Sequence, residues 1–245
     1  MGSTSVVRVG VRLRITALVA VLVAVSAVIW YLRRSEVTVL NVFADAGLNH
    51  ELGYQLITLG MAGALIALAA VLGGRGTLSY LRLSSVSGEI VPVPWLGIRP
   101  KEGETWAQLG TSFLVIITLV TSVVVYLQVA RGGTFRFSVT GVLLPALAFA
   151  VLNSFTEEVI YRHTVTSVFL EIGLPATAAA LTSAALFGGV HYFGTPGGVP
   201  GAFLAGFLGW FLSKSIAETR SFAWAWIIHG AQDVVIFIAL FGTAA

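Results

Sequence analysis

The sequence predicts an all-α fold, a polytopic transmembrane bundle of about seven helices. Three observations carry that prediction. The 245 residues are 57% hydrophobic and only 10% charged, against roughly 25% charged in a soluble domain. Mean hydropathy is +0.92. The apolar residues fall into runs long enough to cross about 30 Å of hydrocarbon, separated by Gly, Pro and basic clusters. Length allows about seven such spans at roughly 20 residues each, with no second soluble domain. The absence of cysteine excludes disulfides and thiol chemistry and leaves His and carboxylates as the strong metal ligands. The net charge of +3 comes without a basic stripe interleaved with aromatics, so nucleic acid is not an expected partner.

The first apolar run is Ile15 to Leu32, preceded by Arg8, Arg12 and Arg14 and followed by Arg33 and Arg34. A basic flank before an apolar run also opens a signal peptide. This run is long for one and ends on a basic stop, so a retained helix is expected. The second span runs from about Tyr54 to Leu72. Between Gly73 and Trp106, Pro92, Pro94 and Pro100 break any helical period, which predicts a loop with an interfacial segment at Pro94-Trp95-Leu96-Gly97. The third span covers about Leu109 to Val129 and the fourth about 141 to 162. Gly173-Leu174-Pro175 stops one helix and starts the next, so the fifth span ends at His191. Gly194-Thr195-Pro196-Gly197-Gly198 follows as a breaker. The sixth span, about Val199 to Leu212, carries Gly201, Ala205 and Gly209, small residues four apart that permit close helix approach. The seventh is about Phe222 to Phe241.

Lys and Arg counts give the orientation. With the N-terminus inside, the inner segments hold Arg8, Arg12, Arg14, Arg75, Arg82, Arg99, Lys101, Lys214 and Arg220, and the outer ones hold only Arg33, Arg34, Arg131 and Arg136. A cytoplasmic N-terminus is expected. Composition and brevity suit an integral protein of a prokaryotic plasma membrane, with the lipid bilayer as its first partner.

Three polar motifs lie inside these apolar spans: Glu157-Glu158-x-x-x-Arg162, Phe187-x-x-x-His191 and His229-x-x-x-Asp233. An ionisable group in hydrocarbon costs several kcal/mol, so it faces a cavity or a partner. Glu158 and Arg162 are four apart with the acid first, the favourable order for a helical ion pair. Glu157 lies about 100° further round the helix and is left to face a cavity as a general base. Asn153 and Tyr161 share its face and are expected to orient it. The plainer alternative is a salt-bridge cluster of both acids with Arg162. Glu157 lies 16 residues before Gly173 and His191 lies 18 after it, so an antiparallel helix pair brings them to nearly one depth. His229 and Asp233, one turn apart, either lock their helix with a hydrogen bond or face the same cavity. His229 sits early in its span, so the depths agree if the hairpin from about 163 to 182 projects beyond the bilayer or lies at its inner surface. Arg162 and His163 would then mark the boundary, and the site would open to the cytoplasm.

In this order on three helices, the motifs resemble the CAAX prenyl endopeptidase and bacteriocin-processing family, the type II CAAX protease-like intramembrane proteases. The resemblance covers about residues 140 to 240. It divides the chain into helices one to three with their loop, residues 1–135, and a catalytic core, residues 136–245. It implies an endopeptidase acting on a membrane-associated protein or peptide, prenylated CAAX-type substrates included. Glu157 and His191 would activate water, and His229 with the residue at 233 would stabilise the oxyanion. Glu158 and Arg162, with Phe187 and Asn153, would support the site. This chain departs from the Asn form of the third motif: an ionised Asp233 offers no N–H to an oxyanion.

Two mechanisms stay open. In the preferred one, Glu157 and His191 deprotonate water without metal. In the other, a divalent ion such as zinc sits among Glu157, His191, His229 and Asp233. His50-Glu51 lacks the second His of a zincin motif. The rival functions are a non-catalytic immunity or scaffold protein of the same family and a transporter with an acid–His proton relay.

Overall fold

A computed structural model describes residues 2–35, 38–131, 141–194 and 197–242. The described residues form α1 (Gly2–Leu32), α2 (Ala46–Gly73), α3 (Trp106–Arg131), α4 (Leu143–Glu158), α5 (Thr164–Glu171), α6 (Ala176–His191), α7 (Gly198–Thr219) and α8 (Ala223–Gly242), without a strand among them. A π-helical turn, Val159–His163, joins α4 to α5, so residues 143–171 form one continuous rod and the bundle has seven rods. Six stretches are long and apolar enough to cross a membrane, and α6 is a shorter apolar helix. The all-α bundle is therefore as expected. The 135/136 division, Arg136 and the Thr195-Pro196 breaker lie outside the described residues.

Several boundaries differ from expectation: α1 and α2 begin at Gly2 and Ala46, before the expected Ile15 and Tyr54. The fourth helix was expected to stop near Arg162 but passes through it, because the π turn keeps the backbone bonded: both the N–H and the hydroxyl of Thr164 donate to the Val159 carbonyl, the hydroxyl at 2.7 Å. Arg162 and His163 are fully buried and mark no surface; one ring nitrogen of His163 lies 3.0 Å from the Thr77 carbonyl. The sixth helix runs past Leu212 to Thr219, because Lys214 and Glu218 pair along it.

The two sets of basic residues go to opposite ends. Arg14 donates to the Leu72 carbonyl, 3.1 Å, which aligns the beginning of α1 with the end of α2. The 74–105 connection caps that end. Phe222 N–H donates to Arg82 O (2.9 Å), Trp224 Nε1 to Val86 O (2.8 Å), Trp106 Nε1 to Glu218 (2.8 Å) and Lys214 Nζ to Val91 O (2.7 Å). Its 3₁₀ turn Pro94–Leu96 holds Trp95 80% exposed, as an interfacial segment would. The α5–α6 turn lies at the same end, closed by Gly173 at φ +81°, a conformation that favours glycine. Arg33 and Arg34 lie at the other end of α1.

The depth argument for α8 holds in relative terms. Phe222, just before α8, meets the His163 ring at 6.5 Å and the Phe155 ring at 5.7 Å. Helix α8 therefore starts about two turns short of the α5–α6 hairpin tip. Helices α6 and α7 approach closely through small residues. A Cβ on Gly188 would stand 2.6 Å from the Ala202 carbonyl, and one on Gly209 would stand 3.0 Å from the Ser183 carbonyl.

Candidate active site

The π turn falls immediately after Glu157-Glu158. Such a turn re-aims side chains and is frequent at functional sites. Glu158 is fully buried and its Oε1 lies 3.2 Å from Arg162 Nη1. The Arg162 guanidinium lies 3.5 Å over the Phe187 ring. The pairing of Glu158 with Arg162 is thus the one their spacing predicted. Glu157 points elsewhere, retains 14% side-chain exposure and lines a cavity of about 870 Å³.

Phe187 links the second motif to the others. Its ring centroid lies 4.1 Å from His191, 5.4 Å from Tyr161 and 5.7 Å from His229. His191 directs Nδ1 to the Phe187 carbonyl, 2.9 Å, which leaves Nε2 for the cavity wall that it shares with Glu157. Both residues of the hairpin register argument line this one cavity.

His229 sits among three carboxylates. Its Nδ1 is 2.7 Å from Glu158 Oε1, and its Nε2 is 3.6 Å from both Glu157 Oε2 and Asp233 Oδ1. The sequence suggested the Asp233 contact; the closer one is to Glu158, 71 positions away. The order Arg162, Glu158, His229, then Glu157 and Asp233 alternates donor-rich and acceptor groups, the arrangement that buried charge needs. Asn153 does not orient Glu157 as expected. Its Nδ2 donates to Asp233 Oδ2 at 2.9 Å. Tyr161 shares a 3.1 Å hydrogen bond with Ser26.

Residues of the first two helices also reach the site. Arg33 donates to Glu51 (2.6 Å) and to Asn153 Oδ1 (3.4 Å). Gln55 donates to Glu51 (2.7 Å) and Asn153 Oδ1 (3.3 Å). The signal for them was present, since Glu51 and Gln55 are polar residues one turn apart inside an apolar span. Arg33 had been read only as a stop flank.

The cavity walls come mainly from α3, α7 and α8, including Phe113, Ile116, Val120, Leu204 and Leu208. Helices α3 and α7 meet where Phe113 stacks on Phe211 at 4.2 Å. From Glu157 the cavity extends to the end of the bundle that carries Arg33, Arg34, Phe193 and Gly194. That end is opposite the beginning of α1. A cytoplasmic N-terminus and a site open to the cytoplasm therefore do not fit together, because the cavity extends away from the hairpin end on which the expectation relied.

Among the described residues no group of three or more His, Asp and Glu side chains has the geometry to hold a metal. Glu157, His191, His229 and Asp233 share a wall, and Glu158 occupies Nδ1 of His229.

Comparison with curated proteins and with solved structures found no match. Comparison with family models found one, described as type II CAAX prenyl endopeptidase Rce1-like, over residues 139–235. That segment contains all three motifs, so the chain is similar over residues 139–235 to the Rce1-like type II CAAX prenyl endopeptidases.

Proposed function

We propose that this chain is an intramembrane endopeptidase that hydrolyses a peptide bond of a membrane-associated protein or peptide. The observation that carries the reading is the placing of His229, with Nδ1 2.7 Å from Glu158 and Nε2 facing Glu157 across 3.6 Å at the wall of an 870 Å³ cavity. A carboxylate bonded at Nδ1 and two more at 3.6 Å from Nε2 favour the imidazolium form of His229. Glu157 and His191 hold the attacking water between them. Its oxygen adds to the scissile carbonyl while Glu157 takes its proton. The N–H at His229 Nε2 stabilises the oxyanion. Glu157 then passes the proton to the departing nitrogen as the C–N bond breaks, and an acid and an amine leave. Asp233 Oδ1, 3.6 Å from Nε2, places a negative charge beside the ring and favours its charged form, which gives the Asp form of the third motif a role without an N–H of its own.

The apolar wall from α3 and α7 suits an apolar peptide segment or a lipid-modified chain end, and the family's description makes a prenylated CAAX-type end the first substrate to try. The test compares cleaved termini of membrane proteins in cells carrying the wild-type chain and Glu157→Ala. Termini present only with wild type support the reading. Full peptidase activity in purified Glu157→Ala protein rejects it.

A further inference from the structure

Asn153 has a side-chain amide with one acceptor and one donor end, and its orientation decides what Asp233 meets. Asn153 Oδ1 faces two groups that can only donate at that point, Gln55 Nε2 at 3.3 Å and Arg33 Nη2 at 3.4 Å. Its Nδ2 is thereby turned to Asp233 Oδ2, 2.9 Å. Asp233 then has one oxygen engaged and the other, Oδ1, directed at His229 Nε2, 3.6 Å. Glu51 secures both donors: Oε2 accepts from Arg33 at 2.6 Å and Oε1 from Gln55 at 2.7 Å. Arg33 is further held over the Tyr54 ring at 3.7 Å. Glu51, Gln55, Asn153 and Asp233 are each at least 95% buried. Buried polar groups in apolar helices cost free energy unless they are fully engaged. Gln55 Oε1 has no hydrogen-bond partner; the bonds that the set does make run one way, from Arg33 and α2 through α4 to α8.

We propose that Arg33, Glu51 and Gln55 are positioning residues for the site, acting through Asn153 to hold Asp233 toward His229. The working site then includes α1 and α2, which lie outside the segment that matches the family. The inference rests on the peptidase reading for its consequence in rate, and on the hydrogen-bond geometry alone for the orientation of Asn153.

The test has two arms on the full-length protein in detergent. The first is a double-mutant cycle in peptide cleavage with Gln55→Leu and Asp233→Asn. Loss of a hydrogen bond held in a charged network lowers kcat about tenfold with KM unchanged. In the Asp233→Asn background the same Gln55→Leu change costs less than about twofold, because the residue it positions is already altered. Equal losses in both backgrounds overturn the proposal, since a purely structural contribution is additive. The second arm does not need activity. Asparagine-selective ¹⁵N labelling reports three side-chain amides in the wild-type chain, Asn41, Asn49 and Asn153, and one more in the Asp233→Asn protein. The Asn153 signal is expected to move in Gln55→Leu and again in Asp233→Asn. An Asn153 signal unmoved by both substitutions overturns the orientation. A wild-type protein that cleaves, a Glu157→Ala protein that does not, and an additive cycle together reject this inference and leave the peptidase reading standing. A wild-type protein that never cleaves rejects the peptidase reading, while the amide signals still decide the orientation.

Discussion

His229 Nδ1 lies 2.7 Å from Glu158 Oε1, and the same carboxylate oxygen lies 3.2 Å from Arg162 Nη1. One buried oxygen therefore meets nitrogen partners from two different parts of the bundle. Glu158 is the counter-charge of Arg162 and the hydrogen-bond partner of His229, so the first and third motifs are joined at one atom.

Removal of Arg162 leaves the fully buried Glu158 with His229 as its partner and empties the space that the guanidinium fills over the Phe187 ring. Arg162→Ala is expected to cost about 3–5 kcal/mol, read as a lower unfolding temperature in detergent and reduced accumulation in the membrane. Arg162→Met with Glu158→Gln is expected to recover part of that stability but not cleavage, since His229 then lacks its carboxylate. Recovery of cleavage in the double variant would show that Glu158 does not orient His229.

The close approach of α6 and α7 sets where His191 stands. A methyl at Gly188 meets the Ala202 carbonyl at 2.6 Å, and relief requires the helices to part. Gly188→Ala is expected to destabilise by about 1–3 kcal/mol and to lower kcat, because His191 moves with α6. Gly189, with open space around its Cβ position, is the control: Gly189→Ala leaves both quantities near wild type.

Leu204 lines the cavity from α7 at 45% exposure and belongs to its apolar wall. Leu204→Trp narrows the cavity without touching Glu157 or His229. The expected outcome is a KM raised about tenfold with the unfolding temperature unchanged. An unchanged KM would place substrate elsewhere.

Among the described residues, Glu157, His191, His229 and Asp233 do not form a group with the geometry to hold zinc. Cleavage is therefore expected to survive treatment with a chelator. A loss of activity restored by added zinc would mean that the site rearranges around an ion.

Several features were legible in the sequence because they depend on short-range helical geometry. Glu158 and Arg162 pair because four residues make about one turn, and the π turn that follows does not undo it. Glu157 and His191 share a wall because they lie at nearly equal distances from Gly173, whose positive φ turns the chain. The expected end of the fourth helix at Arg162 failed for a different reason. Charge there was read as contact with water, whereas Phe187 and Glu158 cover the guanidinium from other directions. Asn153 was assigned to Glu157 from its face alone, but the partner within reach was Asp233, 80 positions away on α8.

The sequence alone determined the helical bundle, the spans that hold the polar residues and the local pairing of Glu158 with Arg162. Those properties follow from hydropathy and from a period of 3.6 residues, both readable within one segment. Tertiary structure alone decided that His229 meets Glu158, that Asn153 meets Asp233, and that Arg33, Glu51 and Gln55 reach the site from two helices without a motif. These contacts depend on how each helix is rotated and how deeply it packs against its neighbours. That is a property of the close-packed bundle and not of any one span.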